Sequence, residues 1–126
     1  MAITEPTPIS EVRHLDIKIA YYTVQAKAGT LSIADTITMS KLQVLRQILL
    51  LLKRIDENNE GLLDSDFLVR NGGIVGLRKS ADTLQVLMKT LSDEEDRLNA
   101  TAVKDDKTVI QFDSALKVIN QKLKKV

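Results

Sequence analysis

The residues best suited to bind a cation lie in one short stretch, IDENNEGLLDSDF, at positions 55–67. Its oxygen-bearing side chains surround a glycine, Gly61, and the four that matter here are Asp56, Asn58, Glu60 and Asp64. Carboxylate and amide oxygens are the ligands that a hard cation such as Ca²⁺ prefers. The stretch allows two interpretations, a calcium-binding loop or the polar joint between two helices.

As a calcium-binding loop, the stretch resembles the loop of the EF-hand family, from Asp56 to Phe67. That family places oxygen ligands at positions 1, 3, 5 and 9 and glycine at position 6, and the residues counted from Asp56 match. The resemblance implies a calcium-responsive regulator that uses Asp56, Asn58, Glu60 and Asp64. The match ends at position 12, where Phe67 replaces the bidentate glutamate of the family, and no second stretch supplies the ligands of a paired loop.

The joint between two helices explains the same residues without a metal. Gly61 suits the position after a helix C-terminus, because glycine adopts the left-handed conformation there. Asp64 or Ser65 suits the start of a following helical turn. We favour this interpretation and predict no cofactor, with Ca²⁺ as the alternative.

The sequence does not indicate a catalytic centre. His14 is the only histidine, and the chain has no cysteine, so a nucleophile–base pair of the usual kind has no obvious members. The acids of SDEEDR, at positions 92–97, would spread around a helix and form a solvated face. We predict that the protein is not an enzyme.

Lysines are concentrated at the end of the chain, at Lys117, Lys122, Lys124 and Lys125. Cations near a helix C-terminus offset the helix dipole, which accounts for them. Contact with an acidic partner or a nucleic acid is the alternative. The formal net charge is only +1, from 18 basic and 17 acidic residues, and no aromatic residues are interleaved to stack on bases. We therefore do not expect nucleic acid to be the partner.

Apolar residues recur at three- and four-residue steps along most of the chain, which predicts amphipathic helices. The expected bounds are about 10–28, 33–58, 75–99 and 107–125, with a short helical turn near 65–70. The fold predicted is all-α, a four-helix bundle in a single domain at 9–126. Residues 1–8, which contain two prolines, are expected to form an extended arm.

A competing pattern lies in the first third of the chain. Leu15, Ile17, Ile19 and Tyr21 alternate with other residues as a strand would, and the KAGT segment could form a turn. The alternative fold is therefore α+β, with a β-hairpin over residues 14–39.

The segment SKLQVLRQILLLLKRI, at 40–55, is more apolar than one buried helix face requires. It is either the centre of the bundle or a helix that meets another subunit. The second interpretation predicts an interface made by one set of side chains: Leu42, Leu45, Ile48, Leu49 and Leu52.

The composition is that of an ordinary globular protein, with 44% hydrophobic and 28% charged residues. No signal peptide or membrane-length apolar run is visible, so we expect a soluble cytoplasmic or intracellular protein without membrane contact. The function predicted is non-enzymatic, a protein–protein interaction or assembly subunit, such as a component of a viral or phage particle. We expect a homo-oligomer or a larger assembly that buries the Leu/Ile-rich helix face.

Overall fold

The computed structural model describes residues 8–58, 65–98 and 107–124, with side-chain surroundings from residue 12 onward except at 58 and 65. These residues form five helices and no strand. The helices are α1 (Pro8–Lys27), α2 (Ile33–Asn58), α3 (Ser65–Arg70), α4 (Gly73–Leu98) and α5 (Lys107–Lys124). The prediction of an all-α bundle with four main helices and one short helix is confirmed. The predicted arm lies outside the described residues except for Pro8, which begins α1.

The alternative β-hairpin over residues 14–39 is wrong, because these residues form most of α1, a short turn and the start of α2. The helical stripe of α1 is the one that becomes covered: Val12 and Leu15 are buried, and Ile19 and Tyr22 pack against the core. α2 supplies the apolar surface that this stripe needs. The alternation that suggested a strand instead distributes apolar side chains over two sides of a helix.

A glycine and a serine direct the chain from α1 into α2. Gly29 has a φ of 74°, and the amides of Gly29 and Thr30 donate to carbonyl groups of the last turn of α1 at 3.1 and 3.0 Å. Glycine adopts this left-handed conformation without strain. Ser32 then caps α2, since its Oγ accepts a hydrogen bond of 3.1 Å from the amide of Asp35.

The joint between α3 and α4 requires glycine for a different reason. A Cβ placed on Gly76 would lie 2.1 Å from the backbone oxygen of Asn71. No side chain fits at that separation, so the first turn of α4 approaches the end of α3 only because position 76 carries no Cβ.

α2 is the centre of the bundle, and it packs against α1, α4 and α5. This arrangement explains why its apolar residues cover more than one face. α4 and α5 also pack against each other, and α3 packs against α4. α1, by contrast, packs extensively against α2 alone among the described helices.

Two ion pairs indicate the directions of the helices. Lys41 near the start of α2 pairs with Glu95 near the end of α4, with 3.2 Å between Nζ and Oε1, so α2 and α4 are antiparallel. Lys122 near the end of α5 pairs with Asp56 near the end of α2, with 2.5 Å between Nζ and Oδ1, so α2 and α5 are parallel. None of the described helices has the length and hydropathy needed to span a membrane.

Candidate protein interface

The side chains predicted to form an interface lie inside the chain itself. Their exposed fractions run from 0% to 7%, for Leu42, Leu45, Ile48, Leu49 and Leu52. They form the core together with apolar residues of α1, α4 and α5. Contact of these five side chains with a partner stays a prediction. In the folded chain little of their surface is exposed for such a contact.

Three large apolar side chains are exposed and aligned on the side of α1 that faces away from α2. Ile17, Tyr21 and Val24 are 69%, 61% and 67% exposed, and their spacing of four and three residues aligns them along the helix. Ala20 is exposed beside them. We call these four residues the α1 outer face.

The two most exposed valines of α4 do not form such a group. Val75 and Val86 on α4 are 76% and 64% exposed, but they are eleven residues apart in the sequence. The positions between them on the same side of the helix are Lys79 and Asp82, which are also exposed. Scattered apolar residues of this kind are normal on a protein surface.

Tyr21 is held in place on the α1 outer face. Its hydroxyl oxygen accepts a hydrogen bond of 2.8 Å from the side-chain amide of Gln25. Its ring meets that of Tyr22 edge to face, with 5.7 Å between the centroids, and Tyr22 packs against the core. A large exposed side chain whose position is already fixed loses less conformational entropy on binding.

The charged side chains around this face are mainly cations. Arg13, Lys18 and Lys27 are exposed, and each lies three or four residues from a member of the face, which is one helical turn. From residue 12 onward, the only acid of α1 is Asp16, which forms an ion pair of 2.6 Å with Arg46 of α2. We call Arg13, Lys18 and Lys27 the α1 rim.

Most residues of the predicted calcium loop lie outside the described part of the chain. Glu60, Asp64 and the side chain of Asn58 are among those not described. Asp56 is described, and its carboxylate pairs with Lys122. Within the described ranges no group of three or more acids or histidines is placed to hold a metal. Calcium binding stays a prediction.

The C-terminal lysines do not form one patch in the part of α5 that is described. Lys117 and Lys124 are exposed, and both border a shallow groove between α4 and α5. Lys122 pairs with Asp56, so one of the predicted nucleic-acid contacts is neutralised by one of the predicted calcium ligands. Lys125 lies outside the described residues.

A second surface groove lies between α2 and α4, with a volume of about 430 Å³. Four leucines line it: Leu50, Leu51, Leu84 and Leu87. Only Leu87 among them is largely exposed, at 44%. The hydroxyl groups of Ser80 and Thr83 on its wall already donate to backbone carbonyls of α4.

Sequence reasoning missed two features. The acids at 92–97 were expected to form a solvated face, yet Glu95 is 8% exposed and pairs with the buried Lys41. The signal was its position on the apolar stripe of α4, where a charge needs a buried partner. The α1 outer face was missed because the helical prediction rested on the inner stripe, and Ile17 and Tyr21 were considered only as part of the alternative strand. His14 is exposed, as a helix-surface histidine would be.

Comparison of the chain with protein families, with curated proteins and with solved structures finds no match in any of the three.

Proposed function

We propose that the protein is a non-enzymatic assembly or adaptor subunit that binds another protein through the α1 outer face. The observation that supports the proposal is the exposure of Ile17, Tyr21 and Val24 on a helix with one extensive neighbour among the described helices. An aligned apolar surface on a folded protein is typical of a binding site. The contact is placed on α1 rather than on α2 because the predicted α2 side chains already pack inside the chain.

The exposed fractions bound the strength of such a contact. Burying a whole side chain of this type is worth about 1.5–3 kcal/mol, and roughly two thirds of each of the three large side chains is exposed. The chain then contributes about 3–6 kcal/mol, and the partner adds its own apolar groups. If the partner contributes as much again, the lower end of the association cost of about 4–15 kcal/mol leaves at most about 8 kcal/mol, so we expect a dissociation constant no lower than about 1 µM.

The partner we propose is a different protein. Two copies joined through this face would bring two α1 rims together, and each rim adds three cations, Arg13, Lys18 and Lys27. Like charges at close range oppose association. The homo-oligomer expected from the sequence is therefore the alternative.

Site-specific photo-crosslinking in the native cells tests the proposal. A benzophenone amino acid replaces Tyr21 in one variant and Val86, which is similarly exposed on α4, in the matched control. We expect a light-dependent adduct with another protein from position 21 and none from position 86. Ile17→Ser with Val24→Ser should abolish the adduct, because these changes remove apolar surface but leave the inner stripe of α1 intact.

The mass of the adduct identifies the class of partner. An adduct of twice 14.0 kDa would indicate a second copy and would contradict the different-protein proposal. Equal adducts from positions 21 and 86, or an adduct that persists after Ile17→Ser and Val24→Ser, would show that the α1 outer face is not the binding surface.

A further inference from the structure

We infer that the partner presents an amphipathic helix whose apolar stripe is flanked by acidic side chains. The inference rests on the proposed function and names the chemistry of the partner at the same surface. Three features support it: the shape of the α1 outer face, the sign of the described charges beside it, and the ion pair that already engages Asp16 on the same helix.

The shape of the face suits a helix. Ile17, Tyr21 and Val24 form a narrow ridge about two turns long, since seven residues rise about 10 Å along a helix. Ridges of this kind pack into the grooves between side-chain rows of another helix. A partner helix with apolar side chains at three- and four-residue steps would cover the outer side of α1, as α2 covers its inner side.

The charges beside the ridge require a partner of opposite sign. The α1 rim lies within one turn of the ridge at both ends, with Arg13 before Ile17 and Lys27 after Val24. An incoming cation would be repelled at each of these positions, whereas a carboxylate would be attracted. Acidic residues beside the partner's apolar stripe therefore match the rim over about 21 Å of helix.

Asp16, the one acid of α1 from residue 12 onward, is already paired within the chain. The carboxylate of Asp16 lies 2.6 Å from Nε of Arg46, and this contact links α1 to α2 inside the chain. Asp16 is therefore engaged by a cation that lies outside the rim. None of the ion pairs among the described side chains involves Arg13, Lys18 or Lys27.

An anionic membrane surface shares the charge preference but fits the ridge less well. Amphipathic helices that lie in membranes insert a broad face of large apolar residues, and the α1 outer face has only three large side chains, none of them Phe, Leu or Trp. The inner side of α1 is committed to α2. These observations favour a protein helix.

Three synthetic probes test the inference on the full-length protein. Each is a labelled helical peptide of about 18 residues with the same Leu/Ile stripe, flanked by Glu in the first, Gln in the second and Lys in the third. Fluorescence anisotropy at low salt should give the Glu peptide a dissociation constant about ten-fold lower than that of the Gln peptide, with the Lys peptide weakest. Raising the salt severalfold should remove most of this difference.

Protein variants locate the effect. The triple change Arg13→Gln, Lys18→Gln and Lys27→Gln should abolish the preference for the Glu peptide while leaving binding of the Gln peptide. The matched control removes three exposed cations from α4: Arg78→Gln, Lys79→Gln and Lys89→Gln. The control should keep the preference, because these positions lie on a different helix from the α1 rim.

The inference is overturned if the three peptides bind equally, or if the triple change and its control have the same effect. A different pattern would identify a membrane surface and would also overturn the inference. In that pattern none of the peptides binds, the protein binds phosphatidylserine vesicles, and the triple change abolishes the vesicle binding. None of these results bears on the proposed function, which the crosslink from position 21 tests separately. Loss of that crosslink would remove the proposed function and this inference together.

Discussion

The buried ion pair between Lys41 and Glu95 should make each single replacement far more destabilising than the joint replacement. The two side chains keep 3% and 10% of their surface, and Nζ lies 3.2 Å from Oε1. Removing one partner leaves the other charge buried without compensation, which typically costs about 3–5 kcal/mol. We expect Lys41→Met and Glu95→Leu each to lower the free energy of unfolding by that amount.

The joint variant should recover most of the loss. Met and Leu fill the space between α2 and α4 with apolar side chains, and no buried charge remains. Replacing a whole buried pair by packed apolar residues is often neutral or stabilising by about 1–4 kcal/mol. The coupling between the two positions should therefore exceed either single effect and approach the sum of the two.

Urea unfolding followed by far-ultraviolet circular dichroism measures these free energies, and an exposed pair provides the control. Nζ of Lys53 lies 3.7 Å from Oε1 of Glu57, and the two side chains are 33% and 61% exposed. Lys53→Met should change the free energy of unfolding by less than about 0.5 kcal/mol. Additive losses in the Lys41→Met, Glu95→Leu variant would refute the reasoning, because they would mean that the two side chains do not depend on each other.

Two further predictions concern the joints between helices, and both are measured by the same urea unfolding. Gly76→Ala should lower the free energy of unfolding by about 1–3 kcal/mol, because its Cβ would meet the backbone oxygen of Asn71; a gain of about 1 kcal/mol, as at an unhindered helix position, would contradict the close approach. Ser32→Ala should cost about 1 kcal/mol, because the amide of Asp35 loses its capping acceptor; an unchanged stability would show that the cap contributes nothing.

The helices could be predicted closely from the sequence because their signals are local. The segment expected at 33–58 is α2 as observed, and the turn near 65–70 is α3. The other boundaries agree to within two residues. Apolar periodicity predicts a helix, and glycine predicts its end, from residues that are close together in the sequence. Neither signal requires knowledge of the tertiary fold.

The position of each helix in the bundle could not be predicted in the same way. An apolar surplus on one segment is compatible with a central helix and with an exposed interface, and only the packing of α1, α4 and α5 places Leu45 and Ile48 in the interior. Lys41 and Glu95 are 54 residues apart. Their pairing depends on the register of two helices, which local patterns do not fix.

The apolar pattern around the α1 outer face is compatible with both a strand and a helix. Ile17 and Tyr21 continue an alternation that is typical of strands, yet Leu15 and Ile19 in the same run belong to the inner stripe of a helix. A helix with apolar residues on both sides produces this mixture. The choice depends on whether a second apolar surface is present to cover one side, and α2 provides it.

Cysteine footprinting tests most directly whether the α1 outer face is free in the isolated chain and covered in its assembly. Because the chain has no cysteine, Val24→Cys and its control Val86→Cys each give a single reporter. Both should react rapidly with a thiol reagent in the purified protein, and in native cells only Val24→Cys should become protected. Protection of Val24→Cys in the purified protein, or rapid reaction of both cysteines in cells, would contradict the account.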